Sequence, residues 1–260
     1  MQYIQITILA SNTMYSLETF AKADLYKCSV ALRNLEYGSR TMEDTANRIV
    51  RYIYDNFLDP RTGEREAALV RFFKTHPYRE LSHRLQGQAQ SIVQGQYISP
   101  ATKCLTLLAT AGEQLQWNDR RRSMGHQAIP LIDEDFVRRA PMILQLIQQF
   151  GLDVKAVIET NPALITKSPH RAFNVFHIPT ALNSPYIPGQ QEFVVPYRVK
   201  SVLGFGGMLP SNELFAVIVF SKVFVPVETA NRFKFISAYV RVAVESYSRN
   251  DVLIPETVQS

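Results

Sequence analysis

The stretch "SVLGFGGMLPSNELFAVIVFSK" (201–222) carries the most pattern in this chain. Gly204, Gly206 and Gly207 crowd one end, a polar turn follows, and an apolar run closes it. A phosphate-cradling loop needs glycines that open into a helix, with Lys-Ser or Lys-Thr behind them, or a G-x-G-x-x-G between strand and helix. Here neither pair follows the glycines, and the next apolar run has the length and β-branched content of a strand. The stretch therefore reads as a hairpin. Glycine inside a strand marks a bulge or a close approach of another group to the backbone.

Outward from the hairpin, the chain alternates between helical and strand patterns. Before it, "FVVPYRVKSVLGFGGM" (193–208) and "AFNVFHIP" (172–179) read as strands. After it, "PVETANRFKFISAYVRVAVESY" (226–247) reads as a closing helix and the last residues as a tail. Upstream, "AALVRFFKT" (67–75) and "KCLTLLATAG" (103–112) read as strands, and 77–95 as one polar helix or two short ones. Residues 132–151 read as a helix that Pro141 kinks or divides and Gly151 ends. "VKAVIE" (154–159) fits a strand or a continuation of the helical region. "SRTMEDTANRIVRYIYDNF" (39–57) is helical, capped by Ser39 or Thr41. From Thr13, Met14, Leu17, Ala21, Leu25, Cys28, Leu32 and Leu35 recur at helical steps after the capping pair Ser11-Asn12. That predicts an N-terminal helix of about seven turns. The first ten residues fit a short strand or an apolar tail. The expected fold is α+β: a central, mostly antiparallel sheet flanked by helices, with a long N-terminal helical extension. The expected division is 1–40 for the extension, 41–247 for the domain and 248–260 for the tail.

Composition narrows the function classes. The 260 residues are 46% hydrophobic and 20% charged, which supports a packed core and argues against disorder. The net charge of +5 is spread along the chain. Its one tight run, Arg120-Arg121-Arg122, lacks interleaved aromatics, so a solvated loop is favoured over a nucleic-acid contact. The N-terminal apolar decamer is too short to span a bilayer and has no basic flank, so no membrane role is expected. Cys28 and Cys104 make no disulfide framework and no CxxC, which suits a reducing, cytoplasmic setting.

The segments "LVRFFKTHPY" (69–78), "CLTLLATAG" (104–112), "GHQAIPL" (125–131), "FNVFHIPTALNSPY" (173–186) and the hairpin with its following helix resemble a GAF domain over about residues 40–247. More closely, they resemble the GAF-like module at the front of some bacterial sensor histidine kinases. The chain departs from that pattern at His177, where an aspartate is common, and has a longer middle over 113–170. The resemblance implies a sensory fold with a ligand cavity between sheet and covering helices, and dimerisation through the first and last helices.

Chemistry in the residues themselves is sparse. Cys104 precedes Leu105 rather than histidine, unlike bilin-attaching members, and one cysteine in the domain is too few for the sulfoxide-reductase members. His76, His83, His126, His170 and His177 form no metal-ligand spacing, so no metal is assigned, although one axial histidine would suffice for haem. The cofactor therefore stays unknown. Asp133, Glu134 and Asp135 fall in a helix's first turn, where the dipole explains them. No nucleophile–base set is legible, and no catalytic residue is assigned. The ligand-pocket candidates are Asn174, Phe176, His177, Phe205, Gly206, Met208, Phe215, Phe220 and His126. Core filling by the same aromatics is the simpler account. His177 shares a face with Val175 and is a candidate pH- or ligand-sensing group if that face is buried.

The last helix carries two apolar stripes. Phe233, Ile236, Val240, Ala243 and Tyr247 make one; Phe235, Tyr239 and Val242 make the other. The second stripe, with Leu25 and Leu32, marks a candidate homodimer interface, unless the first helix folds back over it. The expected function is a non-catalytic sensory or regulatory module. It would bind a small ligand or protein partner and signal through its terminal helices. A ligand-free interaction or scaffold protein, and a small redox or hydrolytic enzyme on the same fold, are the alternatives. No kinase or cyclase follows the domain in this chain, so the output is expected in a protein signalling partner, unless the chain is a fragment.

Overall fold

The computed structural model describes residues 14–123, 125–159, 174–247 and 252–253. The readings of the first ten residues, of the caps Ser11 and Asn12, of His170 and of most of the tail lie outside the described residues. Among the described residues, six strands form one sheet: β1 (Ala67–Pro77), β2 (Lys103–Gly112), β3 (Ala128–Pro130), β4 (Asn174–Ile178), β5 (Ser201–Met208) and β6 (Leu214–Ser221). Their spatial order is β3-β2-β1-β6-β5-β4, and every pairing is antiparallel. The hairpin read at 201–222 is β5–β6, in register from Ser201↔Ser221 to Met208↔Leu214.

The helices are α1 (Lys22–Asn34), α2 (Met42–Asn56), α3 (His83–Ile92), α4 (Glu134–Arg138), α5 (Pro141–Gln149), α6 (Val154–Ile158) and α7 (Val227–Glu245). Local chemistry explains their ends. Thr41 Oγ1 accepts from the Asp44 N–H at 3.1 Å, and Asp133 Oδ1 from the Phe136 N–H at 2.7 Å. Pro141 opens α5, where its missing N–H costs nothing, and so divides α4 from α5. Gly151 ends α5 at φ +71°, a left-handed conformation suited to glycine.

Because successive strand residues point to opposite faces, the sheet has two distinct sides. On the first, Val70, Phe72, Leu203, Phe205, Phe215, Val217 and Val219 pack under α1, α2 and α7. On the second, Leu69, Phe73, Val202, Ala216, Ile218 and Phe220 pack under α4–α6 and the segment 187–199. A smaller cluster joins α3 to Cys104 and Ala128 at the β3 edge. The opposite edge, β4, is closed by side chains. Gln149 Oε1 accepts from the His177 N–H at 2.7 Å, its Nε2 donates to the His177 carbonyl at 3.3 Å, and Asn174 Oδ1 accepts from the Val175 N–H at 3.1 Å.

Four expectations need correction. The N-terminal helix spans Lys22–Asn34, not seven turns, because Tyr15 pairs its backbone with Asn56 and Leu58 at 2.8 Å. Glu66 holds the same segment through Ser16 Oγ and the Leu17 N–H. Residues 190–194 are a π-helical turn rather than the start of a strand, and β5 begins only at Ser201. Pro196 has no N–H to give a ladder, and Phe193 and Tyr197 pack against Trp117 instead, at 5.7 and 4.5 Å between ring centroids. β3, in a stretch to which the sequence reading assigns no element, is a strand of three residues. In the presumed tail, Val252 is buried and its carbonyl accepts from the Glu43 N–H at 2.9 Å.

Candidate functional site

The sequence-derived pocket residues fall in four separate places. Phe205 and Phe215 lie on the first face as fully buried core, Phe205 against Phe233 at 5.3 Å and Phe215 against Phe72 at 6.0 Å between ring centroids. His177 alternates with Phe176 and shares the first face with Val175. It is half-buried, its Nε2 meets no partner, and burial lowers its pKa. Phe176, Met208 and Phe220 belong to the second face, and Asn174 serves the β4 edge. His126 is exposed on the loop before β3, at φ +55°.

The room beside the hairpin glycines is filled by the protein itself. A methyl group on Gly204 would lie 2.8 Å from Ile218 Cδ1 and 3.0 Å from Phe176 Cδ1. One on Gly206 would collide with the Phe215 carbonyl oxygen and lie 3.0 Å from Phe150 Cε2. The other side of that backbone is engaged too, since Ser237 Oγ on α7 donates to the Gly206 carbonyl at 2.8 Å. Gly206 therefore sits between α5 and α7, in contact with both.

A cavity of about 210 Å³ opens at the far end of the hairpin, lined by Met42, Lys74, Leu209, Glu213, Tyr247 and Val252 among others. It is smaller than the roughly 300–1,000 Å³ of ordinary ligand sites. Its charges already have neighbours of their own. Lys74 Nζ donates to the Thr75 carbonyl at 3.1 Å, and nearby Lys103 Nζ to the Asn212 carbonyl at 3.0 Å. Burial lowers the Lys103 pKa, and Glu213 works against that shift.

The second face carries a polar group of a different kind, which the sequence reading missed. Arg71, in the middle of β1, stands opposite Thr110 on β2 and Ile218 on β6. Its Nη2 donates to Ser123 Oγ at 2.9 Å, while its buried Nε meets no partner. The Thr110 hydroxyl, on a residue only 2% exposed, is also without a partner. Burial alone pushes the Arg71 pKa down, to about 10, with no acid offsetting it. The signal was present as a lone arginine inside the apolar run "AALVRFFKT" and a lone threonine inside "LLATAG". A guanidinium donor buried without an acceptor is costly, so the half-buried Arg71, with Thr110 beside it, offers donors an anion could use.

Both cysteines are buried, and burial pushes the Cys104 thiol up to about 12 and Cys28 higher, so neither is a thiolate near neutrality. Among the described residues, no three His, Cys, Asp or Glu side chains cluster to hold a metal ion, and no helix is long and apolar enough to cross a membrane. No model of a known protein family matches the chain, and no curated protein matches it.

Proposed function

We propose that this protein is a GAF-type sensory or regulatory module without catalytic machinery, which binds a small ligand on the second face and signals through α1 and α7. The carrying observation is the half-buried Arg71, whose Nε meets no partner, on the face covered by short helices and irregular segments. The terminal helices lie on the opposite face, and Gly206 offers a route between the two: Phe150 beside it on one side, the Ser237 hydroxyl on its carbonyl on the other. A ligand that shifts α5 would thereby bias α7.

The output surface in this proposal is a homodimer. α1 folds back along α7, with Arg232 Nη1 donating to the Phe20 carbonyl at 2.6 Å and Ser246 Oγ 3.4 Å from Glu36 Oε2. Leu32 is buried there and Leu25 half-buried. Phe235 stays 63% exposed, with Val242 exposed and Tyr239 half-buried beside it. That stripe is what a second copy, or a protein signalling partner, would cover.

A ligand-free scaffold is the second reading, favoured by the way Phe150, Phe176 and Ile218 fill the space beside the glycines. Native mass spectrometry with hydrogen exchange separates the two. The sensory reading expects a bound small molecule whose removal changes amide protection in α1 and α7. A dimer that carries nothing, with terminal-helix protection indifferent to every added ligand, overturns it in favour of the scaffold.

A further inference from the structure

We propose that Arg71 and Thr110 form the recognition point for a small anionic ligand, one bearing a carboxylate or phosphate group, on the second face of the sheet. The proposal rests on the sensory reading and names the ligand chemistry that such a site would take.

Three observations point the same way. First, the two side chains are register partners on neighbouring antiparallel strands, Arg71↔Thr110, and so project side by side from one face. Second, the donors are open. Arg71 Nε and the Thr110 hydroxyl lack partners, while Ser123 Oγ accepts from Nη2 and keeps its own proton to give. Guanidinium donors with a neighbouring hydroxyl match the planar or tetrahedral oxygens of a carboxylate or a phosphate. Third, the charge is otherwise unexplained. Elsewhere the protein pairs an arginine fully: the buried Arg120 holds Glu43 through two bonds, at 2.7 and 2.8 Å. At Arg71 the corresponding carboxylate is supplied by no described residue. An arginine kept only for packing would be replaced without loss by an apolar residue of its size.

The test titrates the full chain with inorganic phosphate and, separately, with succinate, at fixed ionic strength against a chloride control. Melting is followed together with the ¹⁵N–¹H resonance of the Arg71 side-chain Nε. At a hundredfold excess over Kd, the melting temperature should rise by about 5 °C with the matching anion, and the Nε resonance should move. Arg71→Met should lose the response while its unliganded form melts no lower than the wild type. Thr110→Val should weaken binding by about tenfold. If phosphate and succinate both act only as chloride does, or if Arg71→Met responds as the wild type does, the proposal fails. Should Arg71→Met not fold, the wild-type Nε resonance decides: unmoved at anion saturation, it overturns the assignment. Native mass spectrometry of the purified chain separates this failure from that of the sensory reading. A neutral bound molecule sinks the anion alone, whereas a chain that binds nothing sinks both.

Discussion

The two faces of the sheet solve the same problem with different materials. The first is covered by α1, α2 and α7 and filled by a continuous aromatic contact: Phe20, Phe57 and Phe205 all meet Phe233 at 5.3–5.9 Å between ring centroids. The second is covered by α4 and α6, five residues each, by α5, and by an irregular segment whose Phe193 and Tyr197 pack on Trp117. It also admits Arg71 and Thr110 into the middle of its surface. Burial by regular helices leaves few ways to rearrange. Short helices and loops open at lower free energy, which is where binding regions are drawn from. The contrast assigns rigidity to one side and adaptability to the other.

The contrast is broken most forcefully from the first face. Phe233→Ala removes a fully buried ring at the centre of the aromatic contact and should cost about 4 kcal/mol in urea unfolding. A loss below about 1 kcal/mol would mean that this face repacks as readily as the other. Gly206→Ala tests the strand shared by both. The added methyl meets backbone of the β6 partner rather than a yielding side chain, so a loss of about 3 kcal/mol is expected by the same measurement. Tolerance of that methyl would show that β5 can move away from β6.

The smallest effect is a pH dependence lodged on the first face. His76 is buried there, and its Nε2 has no partner. Burial, then the charges of Lys74 and Arg120, hold its pKa well below the usual histidine range. The native imidazole is therefore neutral, while the unfolded one protonates below about pH 6.5. Stability conferred by the neutral ring is complete above that pH and is lost as pH falls through it, by about 1.4 kcal/mol per pH unit until the folded pKa is reached. His177, also lowered, adds in the same direction. Unfolding free energies between pH 7.5 and 5.5 should show the slope, and His76→Gln should flatten it. An unchanged slope in that variant would remove His76 from the account.

Much of the first face was legible in the sequence, and less of the second. β2 was readable end to end because its run is bounded by Lys103 and Gly112, and α2 because Thr41 and its acidic first turn announce a start. The failures have physical causes. Helical spacing from Met14 to Ala21 was overridden by the β-like pairing of Tyr15 with the end of α2, a tertiary contact no local window contains. The π-helical turn at 190–194 was hidden by valine and phenylalanine, which favour strands until the π-helical hydrogen bonds and the packing on Trp117 are counted. β3 was too short to show a period. The candidate pocket residues were chosen as one wall, yet strand alternation sends Phe205 and Phe220 to opposite sides of the sheet. Arg71 was overlooked because a single charge leaves the strand pattern of "AALVRFFKT" intact and nothing local marks it.

One side chain at the sheet's edge also bears on how copies of this chain can meet. The amide of Gln149 occupies both the donor and the acceptor of His177, as a seventh strand would. An incoming strand from another molecule finds those groups already satisfied and must first evict the amide. Growth of the sheet into a polymer is thereby blocked by one residue on a helix. At the β4 edge, association is steered away from strand addition and towards other surfaces.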